Sequence, residues 1–125
     1  MSRLICSLAV IFLLAATAPA GEKKLMHCFA FAPVKTATQA DWNAFYKATD
    51  ELPAKIKGIT KVWYGKLARP TQGEEGRSLE YGVCMEMANE QTLRSYASDP
   101  AHDAWMQVYS KVRVEGTTTF DVVGQ

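Results

Sequence analysis

The stretch Leu25-Met26-His27-Cys28-Phe29-Ala30-Phe31-Ala32 decides the fold, because bulky and small side chains alternate along it. His27, Phe29 and Phe31 fall on one face, and Cys28, Ala30 and Ala32 fall on the other. Alternation with a period of two is typical of a β-strand, whose successive side chains point to opposite faces of a sheet. The stretch therefore predicts a strand with one bulky and one small face, ending at Pro33.

Helical and strand-like segments follow in a clear order. Thr38 is a candidate N-cap, with Asp41 three residues later as in a capping box. Apolar residues then recur at helical spacing up to Pro53, which is expected to end the helix. Strands are predicted at 59–66 and at 79–87, separated by a long polar loop over 69–78. A short helix capped by Asn89, a second helix over 101–111 and a strand over 117–123 complete the chain.

The order strand, helix, strand, strand, helix, strand predicts an α+β fold. It matches a ferredoxin-like split βαβ with a four-stranded antiparallel sheet and both helices on one face. The other face is then uncovered, and its side chains are small or apolar: Ala30, Ala32, Gly82, Cys84, Phe120 and Val122. We expect a second copy to cover this face in a two-fold dimer, a dimeric α/β barrel. The alternative is a monomer whose sheet meets water, as antiparallel sheets often do.

The N-terminus has the features of a secretory signal peptide. Arg3 precedes an apolar run from Leu4 to Ala16, and Ala18-Pro19-Ala20 supplies small residues for cleavage after Ala20. The run is short for a bilayer span of about 20 residues, although a retained membrane anchor is the alternative. We therefore expect a signal peptide over 1–20, a single domain over 21–125, and a periplasmic or secreted product that no membrane holds after cleavage.

The charge balance is neutral once the signal is removed. The chain has 14 basic residues, one of them Arg3 in the leader, against 13 acidic residues. Proteins that bind nucleic acids usually carry a basic patch, so this composition argues against such a partner. Cys28 and Cys84 remain in the mature chain, and both lie in predicted strands. We expect two buried thiols, because bridges between neighbouring paired strands are geometrically awkward; a disulfide outside the cytosol is the alternative.

The segment Asp99-Pro100-Ala101-His102 marks a candidate site. Asp99 suits an N-cap and Pro100 suits the first helical position, so His102 falls in the first turn. The helix dipole disfavours protonation there, and a neutral imidazole near the Tyr96 hydroxyl can exchange protons near neutral pH. The alternative is a histidine that only orders the start of the helix. We expect no metal site and no cofactor, since the chain has no CxxC, Cys/His cluster, GxGxxG or P-loop.

The chain resembles the stress-responsive α/β-barrel (Dabb) domain family. The matching segments cover most of the chain from about 26 to 123: His27–Phe31, Leu52–Ile59, Trp63–Lys66, Tyr96 with Pro100-Ala101-His102, and Phe120-Asp121. The resemblance implies a ferredoxin-like protomer whose sheet pairs with that of a second protomer. The chain departs from the family pattern at Asp99 and Tyr81, where members of the family often have histidines.

The resemblance also implies roles for individual residues. Some relatives are polyketide cyclases with a pocket between sheet and helices. The catalytic roles of such enzymes would fall on His102 as proton carrier, Asp121 as its orienting carboxylate and Tyr96 beside it. The candidate ligand-contacting residues around this pocket are His27 at its mouth, Phe29, Phe45, Tyr46, Tyr81, Val83 and Trp105.

Two functions are consistent with these features. The first is an exported dimeric module that binds a small apolar or aromatic molecule without turnover, which the export signal favours. The second is a cofactor-free acid–base enzyme, in which His102 removes a proton next to a carbonyl and Tyr96 stabilises the enolate oxygen. The sequence identifies neither the ligand nor the substrate.

Overall fold

The computed structural model describes residues 22–125, so the predicted signal peptide lies outside the described part of the chain. Its strands are β1 (Leu25–Pro33), β2 (Ile59–Gln72), β3 (Ser78–Met87) and β4 (Arg113–Val123). Its helices are α1 (Gln39–Asp50), α2 (Leu52–Lys55), α3 (Glu90–Tyr96) and α4 (Pro100–Val112), with a 3₁₀ turn at Glu74–Gly76. Within this range no helix combines the length and the apolar character that a bilayer span requires.

The four strands form one antiparallel sheet in the order β2-β3-β1-β4. This order and the helices on one face confirm the predicted ferredoxin-like fold. β1 occupies an inner position, paired with β3 on one side and β4 on the other. Its alternating side chains therefore set the character of both faces of the sheet.

The core lies between the sheet and the helices. Phe29 and Phe31 of β1 are buried there against Phe45 of α1 and Trp105 and Tyr109 of α4. The Trp105 indole N–H donates to Thr49 Oγ1 at 2.9 Å, and Thr49 Oγ1 donates to the Phe45 carbonyl at 2.7 Å. Trp105 and Thr49 thus have their buried polar groups hydrogen-bonded inside the core.

The three predicted N-caps are confirmed. Thr38 and Asp41 form a reciprocal capping box: the Thr38 N–H donates to Asp41 Oδ2, and the Asp41 N–H donates to Thr38 Oγ1. Asn89 Oδ1 accepts from the Thr92 N–H, and Asp99 Oδ1 accepts from the Ala101 N–H. Asn89 fixes the start of α3, which carries Tyr96, and Asp99 fixes the start of α4, which carries His102.

Three predicted boundaries are wrong. β4 begins at Arg113 and not at residue 117. β2 continues through the predicted loop to Gln72, and Thr71 and Gln72 pair with Leu79 and Ser78 after a register shift. β2 is an edge strand. Edge strands tolerate proline and polar residues, so the composition of its second half did not indicate a strand. Pro53 does not simply end α1; it lies in the first turn of the separate helix α2, where a missing N–H costs nothing.

The prediction of two buried thiols is also wrong, because Cys28 and Cys84 form a disulfide. The two residues are direct partners in the β1–β3 register, with Cα atoms 4.1 Å apart. The sequence placed both cysteines in strands but did not show that they lie opposite each other. That pairing brings the sulfur atoms together on the outer face of the sheet.

We expect reduction of this disulfide to destabilise the domain by about 2–4 kcal/mol, because the bridge restricts the unfolded chain. Urea unfolding with and without reductant measures the effect. The Cys28→Ala/Cys84→Ala double variant is the control: reductant should lower the midpoint of the wild type and leave that of the variant unchanged. Equal responses of the two proteins would contradict a structural role for the bridge.

Candidate functional site

Three side chains form a continuous hydrogen-bonded chain on the helix side of the sheet. Asp121 Oδ1 lies 2.6 Å from His27 Nδ1, and the Tyr96 hydroxyl lies 2.8 Å from His27 Nε2. The imidazole is almost fully buried, with 9% of its side chain exposed, whereas the Asp121 side chain is 39% exposed. The chain of bonds therefore leads from a carboxylate near solvent, through a buried imidazole, to a phenol.

The fold brings these three residues together from distant parts of the sequence. His27 and Asp121 are direct partners in the β1–β4 register, so their side chains share a face. Tyr96 is the last residue of α3, which packs over the same end of the sheet. Because β4 is an edge strand, Asp121 keeps access to water while His27 does not.

His102 also contacts Tyr96. The ring centroids of Tyr96 and His102 are 5.0 Å apart in an edge-to-face arrangement. His102 Nδ1 is buried and has no hydrogen-bond partner within residues 22–125. In native proteins such an orphaned polar atom calls for an explanation, and a functional role is one.

The pKa values of His102 and Tyr96 are shifted in opposite directions. Burial lowers the pKa of His102 below its usual 6.5, and His27 lowers it further, although Asp103 and Asp99 act against this. Burial also raises the pKa of the Tyr96 hydroxyl, and the Asp121 charge adds to that effect. At neutral pH the site thus holds a neutral imidazole that can accept a proton beside a phenol that retains one.

One predicted role is therefore wrong. Asp121 does not orient His102; it bonds His27, its partner across the strands. His27, predicted at a pocket mouth, is instead the centre of the hydrogen-bonded chain. The pairing of strand positions 27 and 121 could have revealed this, but the register was not available from the sequence alone.

The structure brings the other predicted ligand-contacting residues together as tightly packed side chains. Phe29, Phe45, Val83 and Trp105 are buried. The rings of Phe29 and Trp105 are 5.9 Å apart, and those of Phe45 and Trp105 are 6.1 Å apart. Tyr46 and Tyr81 are partly buried at the edge of this cluster, where each contacts Trp42.

Hollows occur elsewhere on the surface. One of about 710 Å³ lies between α2, the start of β2 and α3, and Tyr96 forms part of its wall together with Thr60, Ser95 and Ser98. Another of about 420 Å³ lies on the outer face of the sheet. The first gives access to the region of Tyr96. Across residues 22–125, no three His, Cys, Asp or Glu side chains are clustered as a metal ion would require.

The family model for the stress-responsive A/B barrel domain, Dabb, matches residues 25–123. The chain belongs to the Dabb family. A comparison with curated proteins finds no match. The hydrogen-bonded chain of His27, Tyr96 and Asp121 thus lies entirely within the Dabb domain.

Solved structures of similar fold include proteins from bacteria and plants. A dimeric protein of unknown function from Bacteroides fragilis is 22% identical, with a TM-score of 0.61 over 81% of this chain and 96% of its own. A Dabb protein from Mesorhizobium loti is 16% identical, with a TM-score of 0.62 over 83% and 99%. A hydroxynitrile lyase from Passiflora edulis is 8% identical, with a TM-score of 0.66 over 85% and 96%. At these identities the likeness concerns the fold.

The lowered pKa of His102 predicts a pH dependence of stability. The unfolded chain takes up a proton near pH 6.5 that the folded Dabb domain resists, so the free energy of unfolding should fall as the pH drops below about 6.5. This loss should end once the pH is below the folded-state pKa.

Urea titrations of the wild type and of His102→Gln between pH 5 and 8, a range chosen around the imidazole pKa, measure this contribution. The decline should be smaller in the variant, which keeps His27 and every carboxylate. Parallel curves for the two proteins would show that His102 does not titrate as the structure indicates.

Proposed function

We propose that this Dabb protein is an exported homodimer that carries out cofactor-free acid–base chemistry on a small carbonyl compound. The hydrogen-bonded chain Asp121–His27–Tyr96, next to the unpartnered His102, carries the proposal. Such a chain can hold or supply a proton at the Tyr96 oxygen, and His102 can accept one. The hollow beside α3 provides access from solvent to Tyr96.

The proton transfers can be followed atom by atom. His102 takes a proton from the carbon next to the carbonyl, and the C–H electron pair becomes the enol double bond. Tyr96 donates its hydroxyl proton to the carbonyl oxygen and takes it back when the enol reverts to the carbonyl compound. His27 Nδ1–H donates to Asp121, which holds the imidazole in place beside the Tyr96 oxygen, as an orienting carboxylate does. Reversal of these steps at the same or another carbon returns every proton.

Acid–base chemistry is supported better than the binding of an apolar molecule between sheet and helices. The side chains assigned to that apolar pocket pack against one another, and Phe45 and Val83 are almost fully buried. Tyr96, in contrast, forms part of the wall of a solvent-accessible hollow. One neighbour of this fold is described as a hydroxynitrile lyase, so the fold is compatible with enzymatic activity in at least one protein.

Dimerisation is supported by the outer face of the sheet. Trp63 is 71% exposed there, and Phe120 and Val122 are each 55% exposed. Apolar patches of this kind usually mark contact sites. Several proteins of the same fold are described as dimeric, including those from Bacteroides fragilis and Thermobifida fusca.

The enzymatic proposal predicts catalysed exchange of α-hydrogens for deuterium. We expect the wild type to accelerate this exchange in a panel of small aldehydes and ketones, with phenylacetone as the first probe, followed by NMR in D₂O. His102→Gln should reduce the catalysed rate by about 10²–10⁴-fold, because general-base catalysis contributes that much. Tyr96→Phe should reduce it as well, since the phenol donates the proton to the carbonyl oxygen.

Tyr64→Phe is the matched control, because Tyr64 is also a partly buried tyrosine but contacts Phe45 and Tyr46 instead of the histidines. Its exchange rate should equal that of the wild type. A wild-type rate no higher than that of buffer across the panel would refute the enzymatic proposal. Equal rates for wild type and His102→Gln would exclude His102 as the base.

The export proposal predicts a mature chain beginning at Gly21. Full-length protein expressed in a bacterial host should be recovered outside the cytoplasm, and N-terminal sequencing should give Gly-Glu-Lys-Lys. Ala18→Arg/Ala20→Arg should block cleavage, because signal peptidase requires small residues at these positions. Intact Met1 on the exported wild-type protein would contradict the proposed cleavage site.

A further inference from the structure

The disulfide lies at the centre of the outer face of the sheet. β1 and β3 are the two inner strands, and Cys28 and Cys84 are direct partners between them. The same row of partners continues to Trp63 on β2 and to Phe120 on β4, which are 71% and 55% exposed. The bridge is therefore the middle of an apolar row that crosses all four strands.

Charged side chains on this face lie away from the bridge. Lys61 and Glu86 are partners in a neighbouring row, and the Lys24 ammonium lies 3.3 Å from Glu86 Oε1 at the end of the sheet. An apolar centre with polar groups at its edge is the usual anatomy of a protein interface. On this pattern the disulfide belongs to the part of the face that an interface buries most completely.

In a single chain the bridge is open to small molecules. Both cysteines line the hollow of about 420 Å³ on the outer face. Cys28 is only 5% exposed, whereas Cys84 is partly exposed. A small thiol in solution therefore has a path to the Cys84 sulfur of an isolated protomer.

We infer that dimerisation covers the Cys28–Cys84 disulfide, so that thiols reduce it only in the dissociated protomer. This inference rests on the proposed homodimer and goes beyond it by linking assembly to redox state. Two sheets that pack face to face fill the space between them with interlocking side chains. Because the bridge lies at the middle of the face, a second copy that covers the face also covers the bridge, whichever of its side chains meet it.

The reduction is thiol–disulfide exchange, here with dithiothreitol. One dithiothreitol thiolate attacks Cys84 Sγ, the bond between the two sulfur atoms breaks, and Cys28 leaves as a thiolate. The second thiol of the reagent then attacks the mixed disulfide, which releases Cys84 and closes the oxidised dithiothreitol ring. Two electrons pass from the reagent to the bridge, and the two protons of the reagent end on the cysteines. The first step requires the reagent to touch the bridge.

The dependence of the reduction rate on protein concentration tests the inference. Analytical ultracentrifugation first gives the dimer dissociation constant of the wild type. Reduction by a fixed excess of dithiothreitol is then followed below and above that concentration by acid quenching, alkylation and mass spectrometry. About a hundredfold above the dissociation constant only about one chain in fifteen is free, so mass action predicts a rate at least about tenfold lower than in dilute protein.

Two neighbouring substitutions provide a matched pair. Val122 is 55% exposed on the outer face, so the charge of Val122→Asp would be buried by a second copy and should oppose dimerisation. This variant should be reduced rapidly at every protein concentration. Val123→Asp adds the same charge to the same strand, but Val123 pairs with the buried Leu25 and so lies on the helix side. It should behave like the wild type, and circular dichroism confirms that both variants fold.

The outcomes separate this inference from the proposal on which it rests. A monomeric wild type would refute both the homodimer and the covered disulfide. A dimeric wild type whose reduction rate is independent of concentration would refute the covered disulfide alone, as would a Val122→Asp variant that dimerises normally. A reduction rate of the monomeric variant that rises steeply with sub-denaturing urea would show that reduction requires unfolding, and it would also overturn the inference.

Discussion

The alternation of bulky and small side chains along β1 is the constraint on which the rest of the structure depends. β1 has neighbours on both sides, so its inward residues Phe29 and Phe31 anchor the aromatic core under the helices. Its outward residues Cys28 and Ala30 leave that face shallow and apolar. A one-residue shift in register would exchange these two faces completely.

The same strand connects the core to the proposed chemistry. His27 lies two residues before Phe29 on the inward face, which gives it a buried position with a carboxylate on the neighbouring strand and a phenol from α3. A histidine there needs partners on both ring nitrogens, and the fold supplies them. His102 Nδ1, in contrast, lacks a partner within residues 22–125, and in the proposed reaction His102 is the reacting imidazole while His27 supports Tyr96.

The outer face has a separate role in the molecule. Its disulfide joins the two central strands, and the exposed side chains of Trp63 and Phe120 flank it on the outer strands. The proposed assembly and the proposed chemistry therefore use opposite faces of one sheet. This separation allows a substitution at the interface to be tested without altering the proton-transfer groups, and the reverse.

The sequence by itself determined the element order, the three N-caps and the two faces of β1, because those features depend on periodicity and on contacts within a few residues. It also placed Tyr96 and His102 close together, since the cap at Asp99 fixes the turn between them. Only the tertiary structure decided that Asp121 bonds His27 and that Cys28 meets Cys84. Both pairings depend on the register between strands more than 50 residues apart, which local patterns do not encode.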